Sequence, residues 1–189
     1  PIALNGEEMD GVELISRLNE LAGKHGVGRI DTIENRLVGI KSREIYEAPA
    51  GVTLHTAHNE LEKMTLTKDQ SRFKAKVAAE FADMVYNGLW FSSLHQDLAA
   101  YIASSQRHVT GTIRMKLFKG TAKVVGRQSP KALYDVSLAT YDRGDKFDHS
   151  AAVGFINLWG LQLRTQSRIQ WLGQSSDDIL RLTAPESEE

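Results

Sequence analysis

The stretch Gly26-Val-Gly-Arg-Ile-Asp-Thr-Ile-Glu-Asn-Arg-Leu-Val-Gly-Ile-Lys-Ser-Arg-Glu-Ile-Tyr-Glu-Ala-Pro-Ala-Gly51 decides how this chain is read, because helical periodicity stops there and charge is densest there. Short β-type runs over residues 27–30, 33–40 and 43–46 fill it, and Pro49-Ala50-Gly51 closes it as a turn or helix entry. Alternation along 33–40 puts Glu34 and Arg36 on one face with Val38 and Ile40, so that this face passes from polar to apolar. A strand end of that kind can hold a carboxylate at the rim of a pocket. On pattern alone, an ion-pair network stitching the strands together is the preferred account of Arg29, Asp31, Glu34, Arg36, Lys41, Arg43, Glu44 and Glu47.

Upstream, Leu14, Ile15, Leu18, Leu21 and Ala22 recur at the spacing of one buried helical stripe, predicting a helix over 11–25. Asp10 and Glu13 suggest a capping box at its start and Gly26 a stop at its end. Downstream, a helix is expected over 52–64, with Leu54, His58, Leu61 and Met64 on a face. Another begins at the Thr67/Gln70 capping box, buries Phe73, Val77, Phe81 and Val85, and ends at Asn87-Gly88. A further helix covers about 94–105. The period then switches to two. Ile113, Met115 and Leu117 alternate with Arg114 and Lys116, Lys119-Gly120 turns the chain, and residues 121–126 return as a second strand. Residues 133–141 read as strand or extended chain, and 150–172 as a terminal helix with apolar side chains around much of its circumference.

Helices and strands in this order predict an α+β fold, with a mixed or antiparallel sheet packed with several helices. The expected organisation is a body over 1–150, a C-terminal oligomerisation helix over 151–175 and a flexible acidic tail over 176–189. At 189 residues the chain can bury a core without staples, and it has no cysteine, which excludes disulfides, thiol catalysis and cysteine-ligated metal. Hydrophobic residues at 41% and charged residues at 25% are ordinary for a globular protein, and a net charge of −1 gives no field favouring nucleic acid or anionic lipid. No apolar run reaches the ~18 residues of a membrane span. The N-terminus has neither a signal-peptide pattern nor an initiator Met, so a chain processed or cut from something longer is expected.

Gly23-Lys-His-Gly-Val-Gly-Arg29 superficially resembles a phosphate loop, but it follows a helix and lacks Gly-Lys-Ser/Thr, so a helix cap and turn is preferred. His55 and His58 have a spacing that can hold a metal on a helix, yet no Glu partners them in a His-Glu-x-x-His arrangement; packing and surface roles are preferred. Lys116, Lys119 and Lys123 with Phe118 read as a solvated sheet face in preference to an RNA platform.

The central segment, taken with others in the same order, resembles the argininosuccinate synthase family. The residues are Gly26-Val-Gly-Arg-Ile-Asp31, Glu34-Asn-Arg36, Gly39, Lys41-Ser-Arg43, Tyr46-Glu47 and Pro49, then Ala57-His58, Val85-Tyr-Asn-Gly-Leu-Trp-Phe-Ser92 and Val109-Thr-Gly-Thr-Ile-Arg114. Gly126-Arg-Gln-Ser-Pro130, Leu133-Tyr134, Gly154-Phe-Ile156 and Leu161-Gln-Leu-Arg164 continue it. The resemblance runs from Pro1 to about Arg164 and fits the C-terminal half of that family; Glu44 stands where Gly is usual, and Ser93 where Pro is usual.

The resemblance implies a ligase that joins citrulline and aspartate with ATP through citrullyl-AMP. ATP and Mg2+ would be held mainly by a nucleotide-binding half whose Ser-Gly-Gly-type loop this sequence does not contain, and no bound cofactor is expected here. By motif position Glu34 and Tyr46 match citrulline-binding residues: a carboxylate can pair with the α-ammonium, and a phenol can hydrogen-bond while its ring covers the aliphatic stem. No catalytic acid, base or metal ligand is assigned, and Arg29, Asp31, Arg36 and Arg43 are structural candidates. A cytoplasmic homotetramer without nucleic-acid or membrane partners is implied. The alternative is a free-standing, non-catalytic oligomerisation or small-molecule-binding module.

Overall fold

The computed structural model describes residues 1–138 and 146–171, and the chain divides into two compact units, Pro1–Tyr134 and Asp135–Glu189. The fold is α+β, but the strands form three separate two-stranded antiparallel ribbons among the described residues instead of one sheet.

In the first unit, a short ribbon of β1 (Ala3–Leu4) and β2 (Glu7–Glu8) turns at Asn5-Gly6, an Asn-Gly hairpin signal that the sequence reading passed over. α1 (Gly11–Lys24) follows, capped by the Asp10 carboxylate, which accepts from the Val12 and Glu13 N–H groups at 2.9 Å. The expected box is not closed: Glu13 turns to Arg17, 2.6 Å away. Leu14, Leu18 and Ala22 are buried, whereas Ile15 and Leu21 lie on the exposed flank, so the stripe is narrower than expected. Gly23 to Gly28 forms the helix cap and turn that the residue order favours, with the His25 N–H on the Ala22 carbonyl and the Gly26 N–H on the Gly23 carbonyl.

The next ribbon corrects the strand boundaries. β3 runs from Arg29 to Asn35 as one strand and β4 from Lys41 to Glu47. Residues 36–40, expected as strand, are the turn between them: the Arg36 N–H donates to the Ile40 carbonyl at 2.8 Å and the Gly39 N–H to the Arg36 carbonyl at 2.7 Å. Val38 and Ile40 therefore do not extend the Glu34 face. Leu37, Val38 and Ile40 instead stand exposed at the tip.

α2 (Pro49–Thr65) begins with Pro49 in its first turn, which makes Pro49-Ala50-Gly51 a helix entry. It packs on α1, where the Ala50 N–H donates to Asn19 Oδ1 at 2.9 Å, and on the ribbon of β5 (Thr112–Phe118) and β6 (Thr121–Gln128), where Arg127 Nε donates to Glu60 at 2.7 Å. In that ribbon Ile113, Met115 and Leu117 are half-buried and Arg114, Lys116 and Lys123 exposed, as alternation requires. Its register slips between Arg114 and Met115, leaving Val125 as a bulge.

α3 (Lys68–Tyr86) carries the complete Thr67/Gln70 capping box, and α4 (Ser93–Ser105) is capped by Ser92. The two pack through Phe73 against the edge of Tyr101 and Phe81 stacked on His95. The expected α3 stripe is only partly covered: Val77 is buried, but Phe73 is 52% exposed and Val85 36%. The core of this unit consists of Leu14, Leu18, Ala22, Val27, Ala50, Leu66 and Val77.

Of the segment expected as strand or extended chain over 133–141, residues 133–138 form no strand, and 139–141 lie outside the described residues. The terminal helix is two helices, α5 (Ser150–Trp159) and α6 (Leu161–Gln166), meeting at Gly160 and followed by a π-type turn, Ser167–Trp171. Phe155, Ile156, Leu158, Trp159, Leu161 and Leu163 are all exposed, between 58 and 78%. Residues 176–189 lie outside the described residues.

Candidate functional site

The β3–β4 ribbon has two chemically distinct faces, and its register states which residue belongs to which. Glu34 pairs with Ser42, Thr32 with Glu44 and Ile30 with Tyr46, and all six side chains share one face. The alternate residues share the other: Arg29 opposite Glu47, Asp31 opposite Ile45, Ile33 opposite Arg43 and Asn35 opposite Lys41.

The second face holds ion pairs. Arg43 grips Asp31 through two hydrogen bonds of 2.8 and 2.6 Å, Arg29 lies 3.6 Å from Glu47, and Lys41 Nζ donates to Asn35 Oδ1 at 2.7 Å. The Arg43 guanidinium holds the Asp31 carboxyl below its ordinary range, and Asp31 in turn raises Arg43. These groups are solvent-exposed, where such pairs add little to stability. The stitching expected from charge density is therefore present, most of it on the face away from Glu34.

On the first face, the Tyr46 hydroxyl donates to Glu34 Oε1 at 2.7 Å. The two residues singled out in the sequence thus meet across the ribbon, twelve positions apart in the chain. The Glu34 carboxylate, which accepts that proton, pushes the phenol up to about 12, so Tyr46 is a fixed donor through the physiological range. Arg36 reaches back from the turn to within 3.7 Å of Glu44, so it too is paired. The Ser42 hydroxyl, directly across from Glu34, is buried and makes no hydrogen bond among the described residues. An unmade hydrogen bond of that sort is costly unless something completes it. Sequence reasoning passed over Ser42; counting back through the turn at 36–40 would have set it opposite Glu34.

The ribbon's ends are held by two elements. At its root the Ala48 N–H donates to the Gly28 carbonyl at 2.8 Å, beside α2. At the site end the Tyr86 hydroxyl, on the last residue of α3, donates to the Asn35 carbonyl at 3.1 Å. Nothing in the sequence signals that contact, because the partners are 51 residues apart.

His58, weighed above as half of a metal pair, lies with its Nε2 3.3 Å from Glu62, which is 7% exposed and also accepts from Lys74 at 2.8 Å and Gln106 at 2.9 Å. Burial raises the Glu62 carboxyl, but Lys74, Gln106 and His58 outweigh it and hold the group below its ordinary value. This cluster joins α2, α3 and the 3₁₀ turn Gln106–His108. Among the described residues no three His, Asp or Glu side chains converge as a metal site. A carboxylate, a phenol donor and a buried hydroxyl on one face can bind a small cationic or zwitterionic group. They include no activated nucleophile.

Residues 1–166 match the family model described as "Arginosuccinate synthase C-terminal domain". The chain belongs to the argininosuccinate synthase family. It is 61% identical over 170 residues to an argininosuccinate synthase of Dehalococcoides mccartyi (strain ATCC BAA-2266 / KCTC 15142 / 195), covering 90% of this chain and 42% of that protein. Similar relatives are an argininosuccinate synthase of Listeria monocytogenes serotype 4a (strain HCC23), 58% identical over 89% of this chain and 42% of the relative, and one of Streptococcus suis (strain 05ZYH33), 56% identical over 89% of this chain and 43% of the relative. The chain thus spans less than half the length of these relatives. None of its described helices is long and apolar enough to cross a membrane.

Proposed function

We propose that this chain is the C-terminal portion of a ligase that condenses citrulline with aspartate at the expense of ATP, and that the first face of the β3–β4 ribbon forms one wall of its citrulline site. In that reaction the citrulline ureido oxygen attacks the α-phosphorus of ATP, pyrophosphate leaves, and the aspartate amine then displaces AMP from citrullyl-AMP to give argininosuccinate. Glu34 would take the α-ammonium of citrulline, and Tyr46 would hydrogen-bond and cover its stem. The observation that carries this reading is the 2.7 Å contact from Tyr46 to Glu34. That bond uses one of about four acceptor positions on the carboxylate and leaves the rest for an ammonium. The role is one of positioning, with ATP, Mg2+ and aspartate held mainly by the part of the protein outside this chain.

Steady-state kinetics of the complete protein test the pair. Tyr46→Phe should raise KM for citrulline about 3- to 10-fold, the worth of one neutral hydrogen bond, and leave KM for ATP within about 2-fold. Equal changes for both substrates would remove Tyr46 from the citrulline site.

The complete protein is proposed to be a cytoplasmic homo-oligomer, a tetramer as in the family. The exposed apolar side chains of α5 and α6 support this, since such a surface calls for cover. A monomer by light scattering at micromolar concentration would count against it.

A further inference from the structure

We infer that Tyr86, at the C-terminal end of α3, is a positioning residue for Glu34, acting through the Asn35 carbonyl. The inference rests on the proposed role of Glu34 and adds a residue that touches no substrate.

The hydrogen-bond pattern of the ribbon explains why the Asn35 carbonyl is available. In an antiparallel pair, hydrogen-bonded and non-hydrogen-bonded residue pairs alternate. The bond from the Arg36 N–H to the Ile40 carbonyl makes 36 and 40 a hydrogen-bonded position, so Asn35 and Lys41, next in register, form a non-hydrogen-bonded one. The Asn35 carbonyl therefore points away from β4, along the outer edge of β3, where no third strand among the described residues pairs with it. Tyr86 supplies the missing donor at 3.1 Å.

The location of this bond gives it consequence. A two-stranded ribbon is marginal in water without packing against something else. At its root this one is anchored to the body where Ala48 bonds Gly28, some six residues along β3 from Glu34. At the other end the tip residues Leu37, Val38 and Ile40 are exposed. Tyr86 holds the backbone one residue from Glu34, and α3 is itself fixed by its capping box and its packing on α4. The backbone beside the carboxylate is thus tied to α3 through the Tyr86 phenol. Losing that hydroxyl leaves the Glu34–Tyr46 bond intact, because both partners ride on the ribbon, but frees the ribbon end to swing.

The experiment compares Tyr86→Phe, Glu34→Gln and the double variant in the complete protein, with hydrogen exchange of a peptide covering residues 34–41 read alongside. Tyr86→Phe should raise KM for citrulline about 3- to 10-fold and leave KM for ATP unchanged, consistent with loss of one neutral hydrogen bond. It should add nothing further in the Glu34→Gln background, because a residue acting through another is silent once that other is gone. Exchange over 34–41 should be several-fold faster. Unchanged exchange, a citrulline effect that persists in full in the double variant, or equal effects on citrulline and ATP would each overturn the inference. If Glu34→Gln itself leaves citrulline untouched, the proposed role of Glu34 fails, and with it Tyr86 as an aid to binding. Faster exchange in Tyr86→Phe would then still identify the hydroxyl as the ribbon's tether.

Discussion

Glu34→Gln in the complete protein should raise KM for citrulline by about 10- to 100-fold, with KM for ATP within about 2-fold of the parent. The estimate follows from what the amide can no longer do. A hydrogen bond to a charged partner contributes about 1.5–3 kcal/mol, twice or more the worth of a neutral one, and each 1.4 kcal/mol is a factor of ten. Glutamine has nearly the shape of glutamate, and its amide oxygen can still accept from Tyr46, so the ribbon face keeps its form while losing the negative charge meant for the α-ammonium. Local disruption would instead weaken every substrate together. Equal losses for citrulline and ATP, or no loss, would therefore end the proposed role of Glu34, whatever the oligomer does.

Gly28→Ala should destabilise the complete protein by about 3 kcal/mol or more, seen as a lower urea midpoint with little folded protein recovered. Gly28 stands at the root of the ribbon with φ of +87°, where a Cβ would come within 2.5 Å of the Ala48 carbonyl carbon and the Pro49 nitrogen. Those are backbone atoms at the start of α2, so no side-chain rotation relieves the clash, and the positive φ adds strain of its own. Gly39→Ala is the natural comparison. Its φ of +82° carries similar strain, but nothing lies within 4 Å of the added methyl, so a loss of only about 1–2 kcal/mol is expected. A Gly28 variant no worse than the Gly39 variant would show that the close packing of the ribbon root on α2 is not what holds it.

Much of the fold was legible because its determinants are local. The Thr67/Gln70 box, the Asp10 cap and the alternation of Ile113, Met115 and Leu117 each specify geometry over a few residues, and each is found where the sequence places it. The failures have equally local causes. Leu37, Val38 and Ile40 are apolar and partly β-branched, so propensity extends the strand through them, whereas the Gly39 φ and the Arg36–Ile40 bond make a turn. The α3 stripe was overread because periodicity marks which face is apolar without saying whether this chain covers it; Phe73 remains about half exposed and Val85 about a third. The single terminal helix was overread through Gly160, where the structure changes helix.

Glu34 and Tyr46 came from motif resemblance, since charge pattern alone favoured ion pairs for the whole segment. The ion pairs are present, with Arg43 on Asp31 on one side of the ribbon, and Glu34 and Tyr46 meet on the other. Sequence by itself determined the family, the element types, the helix caps and the parity that separates Arg43 from Glu34, because each depends on residue identity over short spacings. Tertiary structure alone decided the Tyr86 tether to Asn35 and the burial of Glu62 among Lys74, Gln106 and His58. Those contacts join residues 4 to 51 positions apart, and most close only when separate elements pack, a condition that no local spacing encodes.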